Sequence, residues 1–410
     1  MRLGIRQLCL THFRSYETLR LSLGEALAPV VLTGANGAGK TNILEAISFL
    51  TPGRGLRGAR LSDIATRKPD DALFASNGTF GAFGISGCAV QVGQNEQGSA
   101  ADLVASGWAV SARVQTLDGM VQVGTGKDGS SERRQIKIDG ENAKTQSELG
   151  NVLSAIWVTP AQDRLFCGDP AARRRFLDRL VQAFDAGHAS ICADYSYALK
   201  QWNNLLHEGR RDDAWLSALE EQIAANGVAI AAARRDIVAR LAQFLSVSDV
   251  DGFPTAEIHL SGIVEQWLDG LAAVDVEDRF KEKLKQSRHL VADGGSVAGV
   301  HTSDFSVLHG QKNMDAALCS TGEQKALLYS IVLAQTKAAT QEKGQCPILL
   351  LDELAAHFDA KRRNALLERL AALPAQVWLT GTDAEPFVAL YGRAEFFNIE
   401  NASVNLLKVA

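Results

Sequence analysis

The chain has 410 residues, of which 46% are hydrophobic and 22% are charged. This balance is that of an ordinary soluble globular protein. A chain of this length can bury a large core, which favours two lobes. The net charge of −5 does not indicate nucleic-acid binding, so any basic surface must be local.

Neither a membrane protein nor a secreted one is indicated. No apolar run approaches the roughly 18 residues that a spanning helix needs, and the first residues lack the apolar core of a signal peptide. The six cysteines are scattered, with no C-x-x-C pair and no histidine at ligand spacing. Zinc and a disulfide framework are therefore not expected, and we predict a cytoplasmic protein without a membrane partner.

A glycine-rich loop follows two predicted strands at 3–10 and 19–23. It matches the phosphate-binding pattern G-x-x-x-x-G-K-[ST] without mismatch; its residues are Gly34, Ala35, Asn36, Gly37, Ala38, Gly39, Lys40 and Thr41. A buried strand is predicted at 29–33, and an amphipathic helix begins at 42–47. In this setting backbone N–H groups face a phosphate, Lys40 reaches the β- and γ-phosphates, and Thr41 holds Mg²⁺.

Arginines cluster in the glycine-rich stretch after the loop helix, and a second group lies on a predicted hairpin. Residues 78–140 are rich in Gly, Val and Thr and predict antiparallel strands. Flexible arginines suit sequence-independent contacts with DNA phosphates. The candidate DNA-contact residues are Arg54, Arg57, Arg60, Arg133 and Arg134. The alternative for both groups is a solvated surface.

A helical segment begins near Asp169, which suits an N-cap, and Pro170, which suits the first helical position. Apolar residues then recur at helical spacing in three runs, 176–184, 191–205 and 216–245. These runs predict an inserted helical hairpin that is too short for an extended coiled coil. Arginines at 173–175 oppose the helix dipole; they either sense a phosphate, bind a carboxylate or are simply exposed.

Strands and helices alternate towards the C-terminus, which predicts a largely parallel sheet. Strands are predicted at 347–352 and 376–380, and helices at 326–334 and 361–370. Asp352 and Glu353 follow the first of these strands. There, Asp352 can bind Mg²⁺ and Glu353 can activate the attacking water. Ser320 and Gly322 precede a helix and form either an anion site or, with Glu323, a capping box.

The order of these motifs resembles that of the ATP-binding-cassette (ABC) ATPases, and further segments resemble the RecF family. These segments are Thr11–Tyr16, Pro160–Leu165, Arg173–Asp178, Ser320–Leu327, Leu351–Arg363 and Thr380–Asp383. The resemblance covers nearly the whole chain in order, and the long coiled coil of SMC proteins is absent. The chain departs from the family pattern at 299–304, which lacks a frequent Pro and Arg, and at Thr321, where Gly or Arg is frequent.

The resemblance implies an α/β fold, an ABC-type (SMC-like head) ATPase lobe with a helical second lobe inserted. The ATPase lobe would comprise 1–165 and 296–410, and the helical lobe 166–295. Arg14 and Asp359 would join the phosphate loop in binding ATP. Ser320 and Gly322 would read the γ-phosphate bound to a second subunit, and Gln162 would join Thr41 and Asp352 at Mg²⁺.

For function, the resemblance implies a weak Mg²⁺-dependent ATPase that forms a homodimer on ATP and binds double- and single-stranded DNA. It would act with RecO and RecR to load recombinase at gapped or stalled replication sites, and would support the SOS response. One alternative is a scaffold whose ATP switch binds a protein partner rather than DNA. Another is a transporter ATPase subunit, but the full Leu-Ser-Gly-Gly-Gln signature and the switch histidine are missing.

Overall fold

The computed structural model describes residues 3–24, 26–66, 107–128, 133–209, 212–245, 253–354 and 358–409. The strands are β1 Gly4–Phe13, β2 Tyr16–Ser22, β3 Val30–Thr33, β4 Trp108–Gln115, β5 Met120–Lys127, β6 Arg134–Ile138, β7 Glu141–Asn142, β8 Ala155–Val158, β9 Ala256–Ser261, β10 Asp304–His309, β11 Met314–Asp315, β12 Ile348–Leu351, β13 Val377–Thr380, β14 Glu395–Glu400 and β15 Ser403–Leu407. The α-helices are α1 Lys40–Ser48, α2 Glu148–Val152, α3 Pro170–Gln182, α4 His188–His207, α5 Asp213–Leu245, α6 Ile263–Trp267, α7 Ala273–Gln286, α8 Arg288–Ala292, α9 Thr321–Lys343 and α10 Ala360–Ala372.

The chain divides into two compact units, and the first combines Met1–Pro160 with Thr340–Ala410. Its largely parallel sheet has the order β15-β14-β3-β13-β12-β8, with only β15 antiparallel to its neighbour. β3, β12 and β13 are buried along their whole length, as their aliphatic composition predicts for parallel strands covered on both faces. Because parallel strands end at one edge, the residues after β3 and β12 meet there.

A second sheet in this unit is antiparallel, in the order β2-β1-β4-β5-β6-β7. It confirms the predicted antiparallel strands for 108–127 and 134–142, whereas 78–106 lies outside the described residues. Helix α1 contributes Ile43 and Ile47 to an apolar cluster that also contains Val110 of the antiparallel sheet and Trp378 of the parallel one. The helix after the phosphate loop is therefore fixed by the core of the unit.

The second unit is Ala161–Ala339. Helix α3 begins as predicted: Asp169 accepts a hydrogen bond from the Ala171 backbone N–H, and Pro170 is at the start of the helix. The long helices α4 and α5 form the predicted hairpin and share an apolar core with α7, through Trp202, Ile223 and Phe280. A small sheet in the order β11-β10-β9 completes the unit.

The C-terminal bound of this unit lies at Ala339, so the sequence-based bound at 295 falls inside it. β10 pairs with β9, and Arg173 at the start of α3 binds the Asp304 carboxylate at the start of β10. The Gln335 amide on α9 donates to the Leu180 carbonyl of α3 at 2.7 Å. These long-range contacts join β10 and α9 to α3, which local sequence patterns do not show.

Two further expectations concern membranes and cysteines. Among the described residues, no helix has the length and apolarity required to cross a membrane. In the part of the chain that the structure describes, the thiols of Cys167, Cys192, Cys319 and Cys346 are outside any disulfide.

Candidate nucleotide-binding site

The phosphate loop connects β3 to α1 and depends on glycine at three positions. Gly34, Gly37 and Gly39 all have positive φ, at 142°, 82° and 114°, a region that side chains disfavour. A Cβ on Gly34 would lie 2.3 Å from the Ile399 carbonyl oxygen. The positive φ at all three positions and the close approach at Gly34 both favour glycine, and together they explain why this loop shape needs it.

Lys40 begins α1, and its ammonium lies inside the loop. Its Nζ donates to the Gly34 and Ala35 carbonyl oxygens at 2.6 and 2.8 Å. Burial lowers the pKa of Lys40, while the carboxylates of Glu353, Asp352 and Asp383 oppose that shift. A cation held by two carbonyls inside a phosphate-binding pattern can exchange those carbonyls for phosphate oxygens.

Asp352, directly after β12, meets Thr41 as the sequence predicts. The Thr41 hydroxyl lies 3.0 Å from both carboxylate oxygens, and the Thr380 hydroxyl donates to Oδ1 at 2.7 Å. Asp352 is buried. A hydroxyl and a carboxylate side by side are the hard oxygen ligands that Mg²⁺ prefers beside phosphates, so these residues fit the ion.

Glu353 adopts a positive φ of 50°, an uncommon conformation for a residue with a side chain. Its backbone N–H donates to the Thr380 hydroxyl at 2.8 Å. Thr380 therefore bonds to both acidic residues of the strand end. Glu353 is exposed, which places the carboxylate where water can reach it.

Arg14 was expected to contact ATP, and the structure shows it bound to α1. Its guanidinium makes two bonds to the Glu45 carboxylate, at 2.9 and 2.7 Å, and one to the Asp63 carbonyl at 2.8 Å. Glu45 is completely buried. The geometry shows Arg14 neutralising a buried carboxylate, and its contact with nucleotide stays a prediction.

Ser320 and Gly322 lie at the start of α9, in the second unit. Glu323 accepts from the Ser320 N–H and hydroxyl at 3.1 and 2.9 Å, which is one half of the predicted capping box. The hydrogen bond from Lys312 lowers the pKa of Glu323 to about 2, and the bonds from Ser320 act in the same direction against desolvation. The predicted contact of Ser320 and Gly322 with a γ-phosphate bound to another subunit stays a prediction.

Gln162 and Asp359 are the remaining candidates for nucleotide or metal contact. Gln162 is buried at the end of the short helix Pro160–Gln162, and it belongs to the second unit. Asp359 caps α10 by accepting from the Arg362 N–H at 2.8 Å. Neither arrangement tests a contact with Mg²⁺ or ATP.

The five candidate DNA-contact arginines differ in their surroundings. Arg54, Arg60 and Arg133 are exposed. Arg57 is exposed, and its Nη1 donates to Asn42 Oδ1 at 2.9 Å and to Glu45 Oε2 at 3.0 Å, both on α1. Arg134 is enclosed: it donates to carbonyl oxygens of Phe49 and Gly53, and burial lowers its pKa to about 10. Its donors face protein carbonyls in this conformation, and contact of Arg134 with DNA stays a prediction.

The arginines at the start of α3 also have protein partners. Arg173 binds the Asp304 carboxylate with two bonds of 2.8 Å, and Arg174 donates to the Ser303 carbonyl at 2.8 Å. Of the alternatives that the sequence left open, binding a carboxylate is the one observed for Arg173. The carboxylate comes from the 299–304 loop of the same chain.

Comparison with known proteins decides the family. The family model described as RecF/RecN/SMC N terminal domain matches residues 4–389. A DNA replication and repair protein RecF from Mesorhizobium japonicum is 44% identical over 405 residues, which cover 98% of this chain and 97% of that protein. The chain belongs to the RecF family of DNA replication and repair proteins.

Solved structures agree on the fold. The recombination mediator protein RecF-ATPrS of the RecFOR pathway has a TM-score of 0.78 at 19% identity, covering 99% of this chain and 98% of that one. The Smc head domain with an extended coiled coil from Pyrococcus furiosus has a TM-score of 0.52 at 15% identity, covering 100% and 96%. The predicted ABC-type, SMC-like head is confirmed.

Proposed function

We propose that this RecF-family protein is an ATP-gated DNA-binding protein in which ATP acts mainly as a dimerisation switch. The observation that carries the proposal is the meeting of Lys40, Thr41 and Asp352 at one edge of the parallel sheet. The phosphate-binding loop, the Asp352 carboxylate that fits Mg²⁺ and the adjacent Glu353 are the groups that an NTPase site requires. The relatives' name, DNA replication and repair protein RecF, supports DNA as the partner.

The residues of the loop and of the strand end would bind Mg·ATP together. Lys40 leaves the Gly34 and Ala35 carbonyls and holds the β- and γ-phosphates of ATP, while the backbone N–H groups of the loop bind the remaining oxygens. Thr41, Asp352 and Gln162 would hold Mg²⁺, which neutralises phosphate charge. Asp359 would complete the ATP contacts, whereas Arg14 keeps its two bonds to Glu45 and supports the helix that follows the loop.

Hydrolysis opens the switch that ATP binding closes. Ser320 and Gly322 of a second subunit contact the γ-phosphate. This contact brings the candidate DNA-contact arginines of the two subunits together in one DNA-binding groove. Glu353 takes a proton from the attacking water as general base. Loss of the γ-phosphate contact then lets the subunits separate, so the nucleotide shifts the population between two states.

The biological setting rests on the relatives. The solved RecF belongs, by its description, to the RecFOR pathway, which supports partners of the RecO and RecR kind. We place the protein in the cytoplasm, at gapped DNA and stalled replication forks, where single and double strands adjoin. Recombinase loading and SOS induction follow from that location.

The test combines fluorescence anisotropy of labelled double- and single-stranded DNA with light-scattering mass, each with and without Mg·ATP. We expect ATP to cause a monomer-to-dimer shift and DNA binding together. Lys40→Met should abolish both responses, because the loop loses its phosphate-binding cation. Arg393→Met, which removes an exposed ion pair with Glu368, is the matched control.

Two outcomes would change the proposal. Dimerisation with ATP but without DNA binding would favour the scaffold that binds a protein partner. A Lys40→Met protein that still dimerises with ATP would contradict the nucleotide switch itself.

A further inference from the structure

Three side chains that can ligate a metal ion meet between helices α3 and α4 of the second unit. Asp178 lies on α3, and His188 and Cys192 lie on α4. The Nε2 atom of His188 is 3.0 Å from Asp178 Oδ1 and 3.3 Å from Cys192 Sγ. The three donor atoms all lie within 4.8 Å of one another. None of the three residues is a candidate contact for nucleotide or DNA.

The spacing along the chain puts two of these ligands on one face of a helix. His188 and Cys192 are four positions apart, and residues at i and i+4 are neighbours on a helix surface. The same spacing places the two histidines of an H-E-x-x-H helix around one Zn²⁺ ion. Zinc was not expected from the scattered cysteines, because one histidine and one cysteine do not make a site. The fold adds Asp178 as the third ligand.

The group is enclosed, yet solvent can reach it. The side chain of His188 is 1% exposed and that of Asp178 is 16% exposed, and Cys192 is half-buried. Burial, together with the Asp178 charge, raises the pKa of the Cys192 thiol to about 12. The thiol therefore keeps its proton unless a cation replaces it. A divalent ion that binds the sulfur takes the place of that proton, which passes to water.

Arg234 of α5 fixes the Asp178 carboxylate and keeps it ionised. It donates from Nε to Oδ1 at 2.8 Å and from Nη2 to Oδ2 at 2.9 Å. The bonds from His188 and Arg234 hold the pKa of Asp178 below its usual range against desolvation. Each carboxylate oxygen has two lone pairs, so Oδ1 can keep its bond to Arg234 and still bind an ion. An outer bond of this kind orients a ligating carboxylate.

We propose that Asp178, His188 and Cys192 form a zinc-binding site that joins α3 to α4. Nitrogen, sulfur and oxygen ligands together suit Zn²⁺, whereas Mg²⁺ prefers oxygen alone. At Zn²⁺ bond lengths, a tetrahedron separates N from O by about 3.3 Å and N from S by about 3.6 Å. The observed distances are each shorter by only about 0.3 Å. Small rotations of the side chains supply that difference.

The imidazole of His188 can adopt the required protonation state. A ligating Nε2 carries no proton, so the neutral ring must hold its proton on Nδ1. Nδ1 is buried and has no hydrogen-bond partner among the residues that the structure describes, so the proton can move there without displacing another group. The ion then replaces the bonds of Nε2 to Asp178 and Cys192, and its fourth position takes a water molecule.

The test uses Co²⁺, which substitutes for Zn²⁺ and reports its ligands by absorption. A thiolate ligand gives a sulfur-to-cobalt charge-transfer band in the near ultraviolet, and tetrahedral geometry gives strong visible bands. With Mg²⁺ in excess, we expect both features to saturate at one Co²⁺ per chain and to disappear when Zn²⁺ is added. Zn²⁺ should also raise the melting temperature, because it binds the folded state.

Three substitutions locate the ion. Cys192→Ser should remove the charge-transfer band and weaken Zn²⁺ binding by more than the about 10–100-fold that loss of an outer-shell partner costs. His188→Gln should also lose binding, and circular dichroism of the metal-free proteins checks that both variants fold. Cys167→Ser is the matched control, because this exposed thiol lies in the same unit, and it should retain the band and the affinity.

Two results would overturn the proposal. One is an unaltered protein that lacks the charge-transfer band or a Cys192→Ser protein that retains it. The other is a band that disappears in Cys167→Ser, which would assign the ion to the exposed thiol. Neither result bears on ATP or DNA binding.

Discussion

At the scale of single residues, Thr380 positions both acidic residues of the site, Asp352 and Glu353. Its buried hydroxyl donates to Asp352 Oδ1 and accepts from the Glu353 N–H. Thr380→Val keeps the volume and removes both bonds, so we expect a loss of about 1–3 kcal/mol in stability and slower ATP turnover. Thermal unfolding and steady-state hydrolysis measure these changes. Thr380→Ser, which keeps the hydroxyl, should approach the parent; equal turnover in Thr380→Val would show that Thr41 and the backbone alone set the geometry.

The sequence identified Lys40, Thr41, Asp352 and Glu353 because each lies in a short motif whose neighbours fix its place. It missed the Glu45–Arg57–Asn42 contact, since a glutamate in an apolar helix gives no sign of being buried. It also gave no sign that Arg134 is enclosed, because the carbonyls that its guanidinium contacts lie more than eighty residues away in the sequence. Long-range contacts with backbone carbonyls leave no local pattern.

At the scale of elements, Arg134 of β6 holds the end of α1. Its guanidinium donates to the Phe49 and Gly53 carbonyls and lies 5.4 Å from the Phe49 ring centroid. Arg134→Ala leaves these carbonyls without donors, and we expect a loss of about 2–4 kcal/mol, measured by urea unfolding. The neighbouring Arg133→Ala, an exposed position, should change stability by less than about 0.5 kcal/mol. Equal effects of the two substitutions would contradict this assignment.

A second prediction at this scale concerns the pair that joins α3 to α5. Asp178 accepts two bonds from Arg234, at 2.8 and 2.9 Å, and one from His188. Burial alone would raise the pKa of Asp178, but the bonds from His188 and Arg234 lower it overall. Its stabilising contribution is therefore complete above the unfolded pKa of about 3.9 and is lost as pH falls through the lower folded value.

We expect Asp178→Asn to reduce stability at neutral pH by about 3 kcal/mol, because Arg234 stays buried without a carboxylate. The substitution should also flatten the dependence of the unfolding free energy on pH below about 5. Asp269→Asn, which removes an exposed partner of Arg235, is the control and should cost less than about 1 kcal/mol. An unchanged pH dependence in Asp178→Asn would refute the role given to this carboxyl.

The sequence predicted elements well where local signals agree. The Asp169–Pro170 start of α3 and the buried strands β12 and β13 are confirmed. It gave no strand for β9 or β10, whose partner residues are more than forty positions apart in the sequence, as for Ser261 and Asp304. The compact unit extends to Ala339 rather than to 295, and the pairing of β9 with β10 is one of the contacts that cross the sequence-based bound.

At the scale of the whole molecule, Glu353 should set how long the proposed ATP dimer lasts. Glu353→Gln removes the proposed general base, so we expect turnover to fall about 100-fold or more and the γ-phosphate, the proposed contact of the second subunit, to be preserved. We therefore expect a longer-lived dimer on DNA, measured by dissociation after dilution into excess ADP. Glu385→Gln, an exposed carboxylate of the same unit, should behave like the parent. Faster dissociation of Glu353→Gln would contradict hydrolysis as the opening step.

The strand order of the parallel sheet also governs how the protein is made. β3 lies between β14 and β13, and Gly34 is enclosed by the Thr382 carbonyl, to which it donates at 3.1 Å, and by the Ile399 carbonyl. At about 5–20 residues per second, a ribosome needs tens of seconds between these segments. The second unit is complete before then. A nascent chain thus carries its nucleotide motif unformed and cannot bind ATP until nearly all of it has emerged.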